Sequence, residues 1–338
     1  MKEARLRVVN VDCNLEYAEE RSRIEAVGAE LILKKVRTED DLIEACAGVD
    51  VILTENSDTR VTSRVIAGLR ACRGVVHYGV GVDSIDVAAA TENGIVVANA
   101  AAYCTEEVSD HAVALLLAGA RRLLPMDRTI RAGGWSDFPR DGPLLRISNL
   151  TLGLIGLGRI ARATARKMSG FRLRMLAADP YLSSPAGEPG VGMVALEQLL
   201  AESDLISIHV PLTPETRGLI GEAAFRLMKP TAILVNTSRG KVVDQDALVR
   251  ALEEKRISGA GLDVMAEEPL PASSPLRKFG NVIFTPHFGS ESLQALRDLH
   301  LIVAESAAAL LQGYWPPFPV NPHVRPRLAL RPWNEFRL

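Results

Sequence analysis

Several scarcities narrow what this 338-residue chain can be. It has four cysteines, Cys13, Cys46, Cys72 and Cys104, with no Cys-x-x-Cys pair and no histidine at ligand spacing. That pattern argues against a disulfide framework and a metal site, and predicts reduced thiols in a cytoplasmic protein. An excess of charge of one sign is also missing. With 39 Lys and Arg against 41 Asp and Glu, the formal net charge is -2, which leaves no electrostatic footprint for nucleic acid or an anionic membrane. The longest apolar run, Ala112 to Ala120, is far too short to span a bilayer. The opening residues, MKEARLRVVNVD, enter a strand without a signal-peptide pattern.

The chain does carry apolar bulk and a βα alternation. Hydrophobic residues make up 47% and charged residues 24%, so two ordinary globular domains, each with its own core, are expected. Apolar runs predict strands at 6–12, 30–36, 49–54, 75–78 and 95–98, with helices at 15–27, 39–47, 63–69 and 86–92. Thr38, Thr62, Asp83 and Asp86 read as helix-capping residues, and Gly48 and Gly94 as helix ends. A mostly apolar helix over 105–124, ended by Pro125, is expected to lie between two bodies as a connector or subunit interface. A short helix is predicted at 125–131. Further strands follow at 205–209, 232–236, 259–262 and 282–284, and helix 292–312 is expected to return to the N-terminal half. After Gly313 the prolines and basic residues predict an extended tail rather than a packed element, read as a strap or a loosely ordered end, with a partner-covering arm as the alternative.

Residues 152–180, LGLIGLGRIARATARKMSGFRLRMLAADP, are the most informative stretch. An apolar run ends at Gly156, and Gly156, Gly158 and Ala161 stand as a G-x-G-x-x-A turn. Gly156 turns the chain tightly, Gly158 admits a pyrophosphate, and Ala161 lets the following helix lie close to its strand. The amides at Arg159 and Ile160 would open that helix toward the diphosphate. A second apolar run ends in Asp179, where a carboxylate can accept from both hydroxyls of an adenine ribose and would repel a 2′-phosphate. NAD is therefore the expected cofactor.

Three charged side chains follow strands of the same half: Arg239 in NTSRG, Glu268 in DVMAEEP and His287 in TPHFG. Taken singly, each has a plain structural explanation as a solvated charge or a turn residue. Together, at the ligand-facing edge of an α/β sheet, they suit one reaction. An imidazole can exchange a proton near neutrality, a neighbouring carboxylate can hold its ring in one orientation, and a guanidinium can clamp a carboxylate and polarise an adjacent carbonyl.

These motifs, with HYGVGVDSID (77–86), TEEVSDHAVALLLAGARR (105–122), GLGRIA (156–161) and HVPLTPETRGLI (209–220), give the chain a resemblance to the D-isomer-specific 2-hydroxyacid dehydrogenases over about residues 45–313. The resemblance implies two doubly wound parallel-sheet α/β domains. One is a Rossmann NAD-binding domain at 102–291, in which 102–150 is a dimerisation segment. The other is a flavodoxin-like substrate domain formed by 1–101 and 292–338. It implies Arg239, Glu268 and His287 as the catalytic set. It places Asp263 at the nicotinamide carboxamide and Thr105, Val210, Pro211, Thr216, Thr237, Ser238 and Gly289 around the cofactor. Gly79, Val80 and Gly81 would take the carboxylate of a 2-oxo or 2-hydroxy acid through backbone amides, with Arg239 and His287.

Within the family, YCTEEVSDHA resembles the branch of C-terminal-binding-protein corepressors, and a homodimer is implied, in which Trp135 either packs in the interface or reaches the partner's pocket. His77 stands where many relatives have arginine, and Ser84 where asparagine is frequent; both border the substrate side. Asn56, Ser57 and Arg60 are candidates for the substrate rim. The expected activity is NAD-dependent interconversion of a 2-oxo acid and a D-2-hydroxy acid. The alternatives are a nucleotide-sensing corepressor-like protein and a phosphite-type dehydrogenase.

Overall fold

Val8 and Val9, Val75 and Val76, and Val96 and Val97 are all buried, so successive residues of these strands find apolar cover on both faces of one sheet. In the computed structural model, which describes residues 5–11, 17–55, 60–135, 144–182, 188 and 190–337, the chain divides into two units. These are Met1–Cys104 with Ser292–Leu338, and Thr105–Glu291. The first boundary falls a little beyond residue 101 because Tyr103 packs into the core of the first unit.

The first unit begins β1 (Leu6–Asn10), α1 (Ala18–Ala26), β2 (Ala29–Leu33), α2 (Glu39–Ala45), β3 (Val51–Thr54), α3 (Ser63–Gly68), β4 (Gly74–His77), α4 (Val87–Glu92) and β5 (Val96–Asn99). Its strands pair in parallel in the order β2-β1-β3-β4-β5, the flavodoxin-like arrangement. Thr38 caps α2 in a capping box with Asp41. Thr62 and Asp86 accept from the amides of Val65 and Ala89 at the starts of α3 and α4. The expected strand at 30–36 is shorter. Cys13, Asn56, Ser57 and the start of the 15–27 helix lie outside the described residues.

The second unit opens with α5 (Thr105–Ala120) and α6 (Leu123–Arg131). The expectation of a single helix to residue 124 is corrected here. Arg122 adopts a left-handed backbone (φ 52°) that breaks the rod, and Pro125 falls in the first turn of α6, where its missing N–H costs no helical bond. The unit continues β6 (Thr151–Ile155), α7 (Arg159–Ser169), β7 (Arg174–Ala178), β8 (Val191–Met193), α8 (Leu196–Glu202), β9 (Leu205–Ile208), α9 (Glu222–Leu227), β10 (Ile233–Asn236), α10 (Gln245–Glu253), β11 (Gly259–Leu262) and β12 (Val282–Phe284). All seven strands are parallel, in the order β12-β11-β10-β9-β6-β7-β8. The order reverses between β6 and β9, and ligands bind at such a switch point in doubly wound sheets. Helix α5 buries Val108, Ala112, Leu115 and Leu116, the last two in the core of this sheet, and packs along α7, which accounts for much of its apolar character.

The chain then returns to the first unit through α11 (Leu293–Leu311), which packs on α1 and β4. Of the two courses expected for the tail, a strap or a loosely ordered end, it takes the strap, running along β5. Pro319 bridges Ala98 in antiparallel fashion. Asn321 accepts from the Val97 amide (2.8 Å) and donates to Thr91 Oγ1 (2.9 Å) and the Ile95 carbonyl (3.0 Å). Arg327 donates to the carbonyls of Asn93, Leu69 and Cys72. Asn321, together with the Val320 amide on the Val97 carbonyl (2.8 Å) and the Phe318 carbonyl on the Asn99 amide (3.2 Å), pairs an edge strand that would otherwise expose its backbone, and Arg327 pins the strap beside it. Replacing Asn321 by Ala leaves buried backbone groups without partners, so we expect a loss of about 2–3 kcal/mol. The check is a lowered denaturant midpoint with faster hydrogen exchange at Val97; an unchanged midpoint contradicts this role of the strap.

Candidate active site

At the switch point, β6 runs into the glycine turn. Gly156 has φ +86°, and a Cβ there would lie 2.9 Å from Val210 Cγ1 and 3.0 Å from the His209 carbonyl oxygen. The turn and the end of β9 are thus packed backbone against backbone. Gly158 faces open space, and a Cβ added to it would meet nothing within 4 Å. It is also the N-cap of α7 and offers no side chain to the first-turn amides around Arg159 and Ile160. An open glycine before an uncapped helix N-terminus fits a diphosphate. Asp179 ends β7 with Oδ2 accepting from the Leu157 amide and Oδ1 from the Tyr181 amide, both at 3.0 Å. The carboxylate therefore also ties the glycine turn to β7, and each oxygen keeps acceptor capacity for a ribose hydroxyl. The residues present fit a dinucleotide.

His209 follows β9 and carries no sequence signal of its own. Its Nε2 lies 2.9 Å from Ser207 Oγ, and desolvation pushes its imidazole down to about 4, so a neutral ring sits beside Ser207 while its backbone packs on the glycine turn. In the next loop Thr216 donates to the Pro211 carbonyl (2.6 Å) and accepts from the Thr213 amide (2.8 Å). Thr216 is thereby a loop-closing residue, with Val210 half-buried and Pro211 exposed beside it. Thr105 opens α5, its carbonyl accepting from Ser109 Oγ.

The loop after β10 is built on Asn236, which is 1% exposed. Its Oδ1 accepts from the Ser238 amide and hydroxyl (3.0 and 2.9 Å), and its Nδ2 donates to the Arg239 carbonyl (3.0 Å). Thr237 Oγ1 is buried without a hydrogen-bond partner, a polar atom available to a bound group. Arg239 donates through Nη1 to the Ser238 carbonyl. Gly240 follows, and a Cβ on it would stand 1.9 Å from both the carbonyl carbon and oxygen of Met265. Here the loop bearing Arg239 lies directly on the loop bearing Glu268. Neither Asn236 nor Gly240 stands out in the sequence, because what each touches is set by tertiary packing.

Asp263, just beyond β11, organises the remainder. Its Oδ1 accepts from Thr285 Oγ1 (2.6 Å) and the Phe288 amide (2.9 Å), and its Oδ2 from the Gly289 amide (2.9 Å). His111 of α5 approaches Thr285 Oγ1 at 2.8 Å and Asp263 Oδ1 at 3.4 Å. Burial alone would raise this carboxyl, but the hydrogen bonds from His111, Thr285 and the two amides outweigh it and hold Asp263 well below the usual carboxylate range. The residue that the resemblance placed at a carboxamide is thus foremost the clamp of residues 285–289. The clamp holds His287 in a left-handed conformation (φ 55°), costly for a non-glycine residue and concentrated at functional sites. In that pose His287 Nδ1 lies 2.8 Å from Glu268 Oε2, while Glu268 Oε1 accepts from the Met265 amide (2.8 Å). Burial disfavours the Glu268 charge, but His287, the Met265 amide and the nearby Arg239 prevail and lower its pKa. The pairing leaves Nε2 as the nitrogen for a reacting proton.

In the first unit, the Gly79 carbonyl accepts from the Ala100 amide (3.0 Å) and the Val80 carbonyl from Asn99 Nδ2 (2.6 Å). Val80 is exposed and Gly81 half-buried. His77 is buried against Gly79, and Ser84 is half-buried with a buried hydroxyl. Arg60 donates to the Asp83 carbonyl (3.0 Å), and the helix cap at this turn is Asp86 rather than Asp83.

Residues 113–289 match the D-isomer specific 2-hydroxyacid dehydrogenase, NAD binding domain family. A glyoxylate reductase of Korarchaeum cryptofilum is 44% identical over 286 residues, covering 84% of this chain and 86% of its own. The chain belongs to the D-isomer specific 2-hydroxyacid dehydrogenase family. The solved structure of a glyoxylate reductase from Paecilomyes thermophila is similar with a TM-score of 0.86 at 27% identity, covering 94% and 99% of the two chains. That of D-lactate dehydrogenase from Aquifex aeolicus, complexed with NAD and lactic acid, has a TM-score of 0.81 at 28% identity, covering 90% and 96%. This dehydrogenase uses NAD and interconverts 2-oxo and D-2-hydroxy acids; the corepressor-like and phosphite-type alternatives are not favoured.

Gly240→Ala should force the Arg239 and Glu268 loops apart and lower kcat/KM at least about a hundredfold; steady-state kinetics near the wild-type value would contradict the close packing. Because the folded pKa of Asp263 is depressed, its contribution to stability is complete above its ordinary value of 3.8 and is lost as pH falls through the folded value. Denaturant titrations of wild type and Asp263→Asn should therefore differ at neutral pH and converge in strong acid. A difference that widens in acid would contradict the clamp.

Proposed function

We propose that this dehydrogenase reduces small 2-oxo acids of the glyoxylate class with NADH, using His287 as the proton donor. The observation that carries the reading is the 2.8 Å contact of His287 Nδ1 with Glu268 Oε2. NAD, when bound, supplies or accepts the hydride. His287 gives its Nε2 proton to the oxygen of the carbonyl undergoing reduction and takes it back in the reverse direction. Glu268, held by the Met265 amide, fixes the ring and balances the charge of its protonated form. Arg239 grips the acid's carboxylate and draws electron density from the adjacent carbonyl. In the first unit, the amides of Val80 and Gly81 are proposed to take a substrate carboxylate. Asp179 favours NADH over its phosphorylated counterpart, and Thr216, Thr237, Ser238 and Gly289 shape the loops around the coenzyme.

The glyoxylate class is supported by the names of relatives such as the Korarchaeum cryptofilum reductase. A homodimer through the second unit is supported by exposed Leu123, Ile130, Trp135, Leu144 and Leu145 along and after α6. A cytoplasmic setting is supported by Cys46, Cys72 and Cys104, all buried and unbridged.

A panel of 2-oxo acids of graded size, followed by NADH absorbance, should give its highest kcat/KM with glyoxylate. His287→Ala and Arg239→Ala should each lose at least about a thousandfold in kcat/KM while NADH affinity stays within a few fold. Turnover retained in His287→Ala, or NADH binding lost with Arg239, would overturn the assigned roles.

A further inference from the structure

The first unit buries an ionisable cluster that the proposed reaction does not use. Glu20 of α1 is 2% exposed and His300 of α11 is 8% exposed. Glu20 Oε2 lies 2.6 Å from His300 Nδ1, and Glu20 Oε1 accepts from the Tyr78 hydroxyl at 2.5 Å. That hydroxyl in turn accepts from Asn10 Nδ2 at 3.0 Å. Tyr17 covers the imidazole, its ring stacked at 3.4 Å between centroids. Buried charges and hydroxyls of this kind are expensive unless every partner is present, and apolar residues of similar volume would often stabilise as well or better. Their presence therefore calls for a role in placing something.

What they place is the chain at Tyr78, the residue directly before Gly79. Three tethers converge there. The cluster holds the Tyr78 side chain, the Ala100 amide takes the Gly79 carbonyl, and Asn99 Nδ2 takes the Val80 carbonyl. A trans peptide points its N–H opposite to its C=O. With the carbonyls of Gly79 and Val80 turned toward Ala100 and Asn99, the amides of Val80 and Gly81 are turned the other way. Two successive amides fixed in this manner form an anion-binding concavity.

We propose that Glu20, His300 and Tyr78, with Asn99, are positioning residues for substrate. They lock the Gly79–Gly81 loop so that its amides stay aimed at the acid's carboxylate. This rests on the proposed role of that loop in taking the carboxylate. None of the four touches the reacting atoms, so their work shows in binding of the acid rather than in the chemical step.

The test uses the full chain with NADH and glyoxylate. Tyr78→Phe removes only the hydroxyl, and Asn99→Ala only the tether on Val80. Each should raise KM for glyoxylate about tenfold, the effect of one lost hydrogen bond, with kcat within about twofold and NADH affinity unchanged. His300→Asn, whose Nδ2 stands where Nδ1 faced Glu20, should reverse most of the rise in KM seen in His300→Ala. The proposal is overturned if both Tyr78→Phe and Asn99→Ala keep the wild-type KM. It is equally overturned if kcat falls as much as KM rises, or if NADH binding weakens in parallel. A wild-type protein that reduces glyoxylate while the variants behave as wild type sinks this inference alone; one that reduces no 2-oxo acid sinks the proposed function and this with it.

Discussion

One buried carboxylate governs the site in the second unit. Asp263 stands at the C-terminal end of β11 and gathers the hydroxyl of Thr285 and the amides of Phe288 and Gly289, with His111 alongside. An uncompensated charge so deep would be unfavourable. Charge-assisted hydrogen bonds reverse that balance, and the same bonds give residues 285–289 a single course. The left-handed backbone of His287 is a consequence of this clamp rather than a local preference.

The three side chains proposed to act on substrate inherit their geometry from backbone packing of this kind. Arg239 is set by the side chain of Asn236, and Gly240 brings its loop against Met265, whose amide holds Glu268. Glu268 then meets His287. The guanidinium, carboxylate and imidazole thus come from three loops after β10, β11 and β12, braced by backbone amides and by a glycine with no room for a methyl group. Preorganisation is an economical route to catalysis, because dipoles already aligned need no reorganisation as charge develops.

Much of this arrangement is legible in the residues themselves. The glycine turn, Asp179, and the triad of Arg239, Glu268 and His287 are short-range patterns tied to strand ends, where βα periodicity is a strong signal. What stays hidden depends on distant contacts. Gly240 is an ordinary loop glycine until Met265 lies on it, and nothing near Asp263 in sequence shows that the amides of residues 288 and 289 reach its carboxylate. The C-terminal segment is legible only as far as a strap or a loose end for a related reason: its prolines erase periodicity, while its order comes from Asn321 and Arg327 grasping backbone groups far away in sequence. Pro125 reads as a helix stop, although a proline suits a first turn equally well and the break is made by Arg122.

The central claim is that His287 presents Nε2 to the reaction because Glu268 holds Nδ1. Nitrogen-15 NMR of histidine-labelled protein tests it most directly by reporting which ring nitrogen carries the hydrogen. The expected result is a protonated, strongly hydrogen-bonded Nδ1 in wild type, with its downfield proton lost in Glu268→Gln. A neutral ring protonated only at Nε2, or an Nδ1 signal indifferent to Glu268, would contradict it.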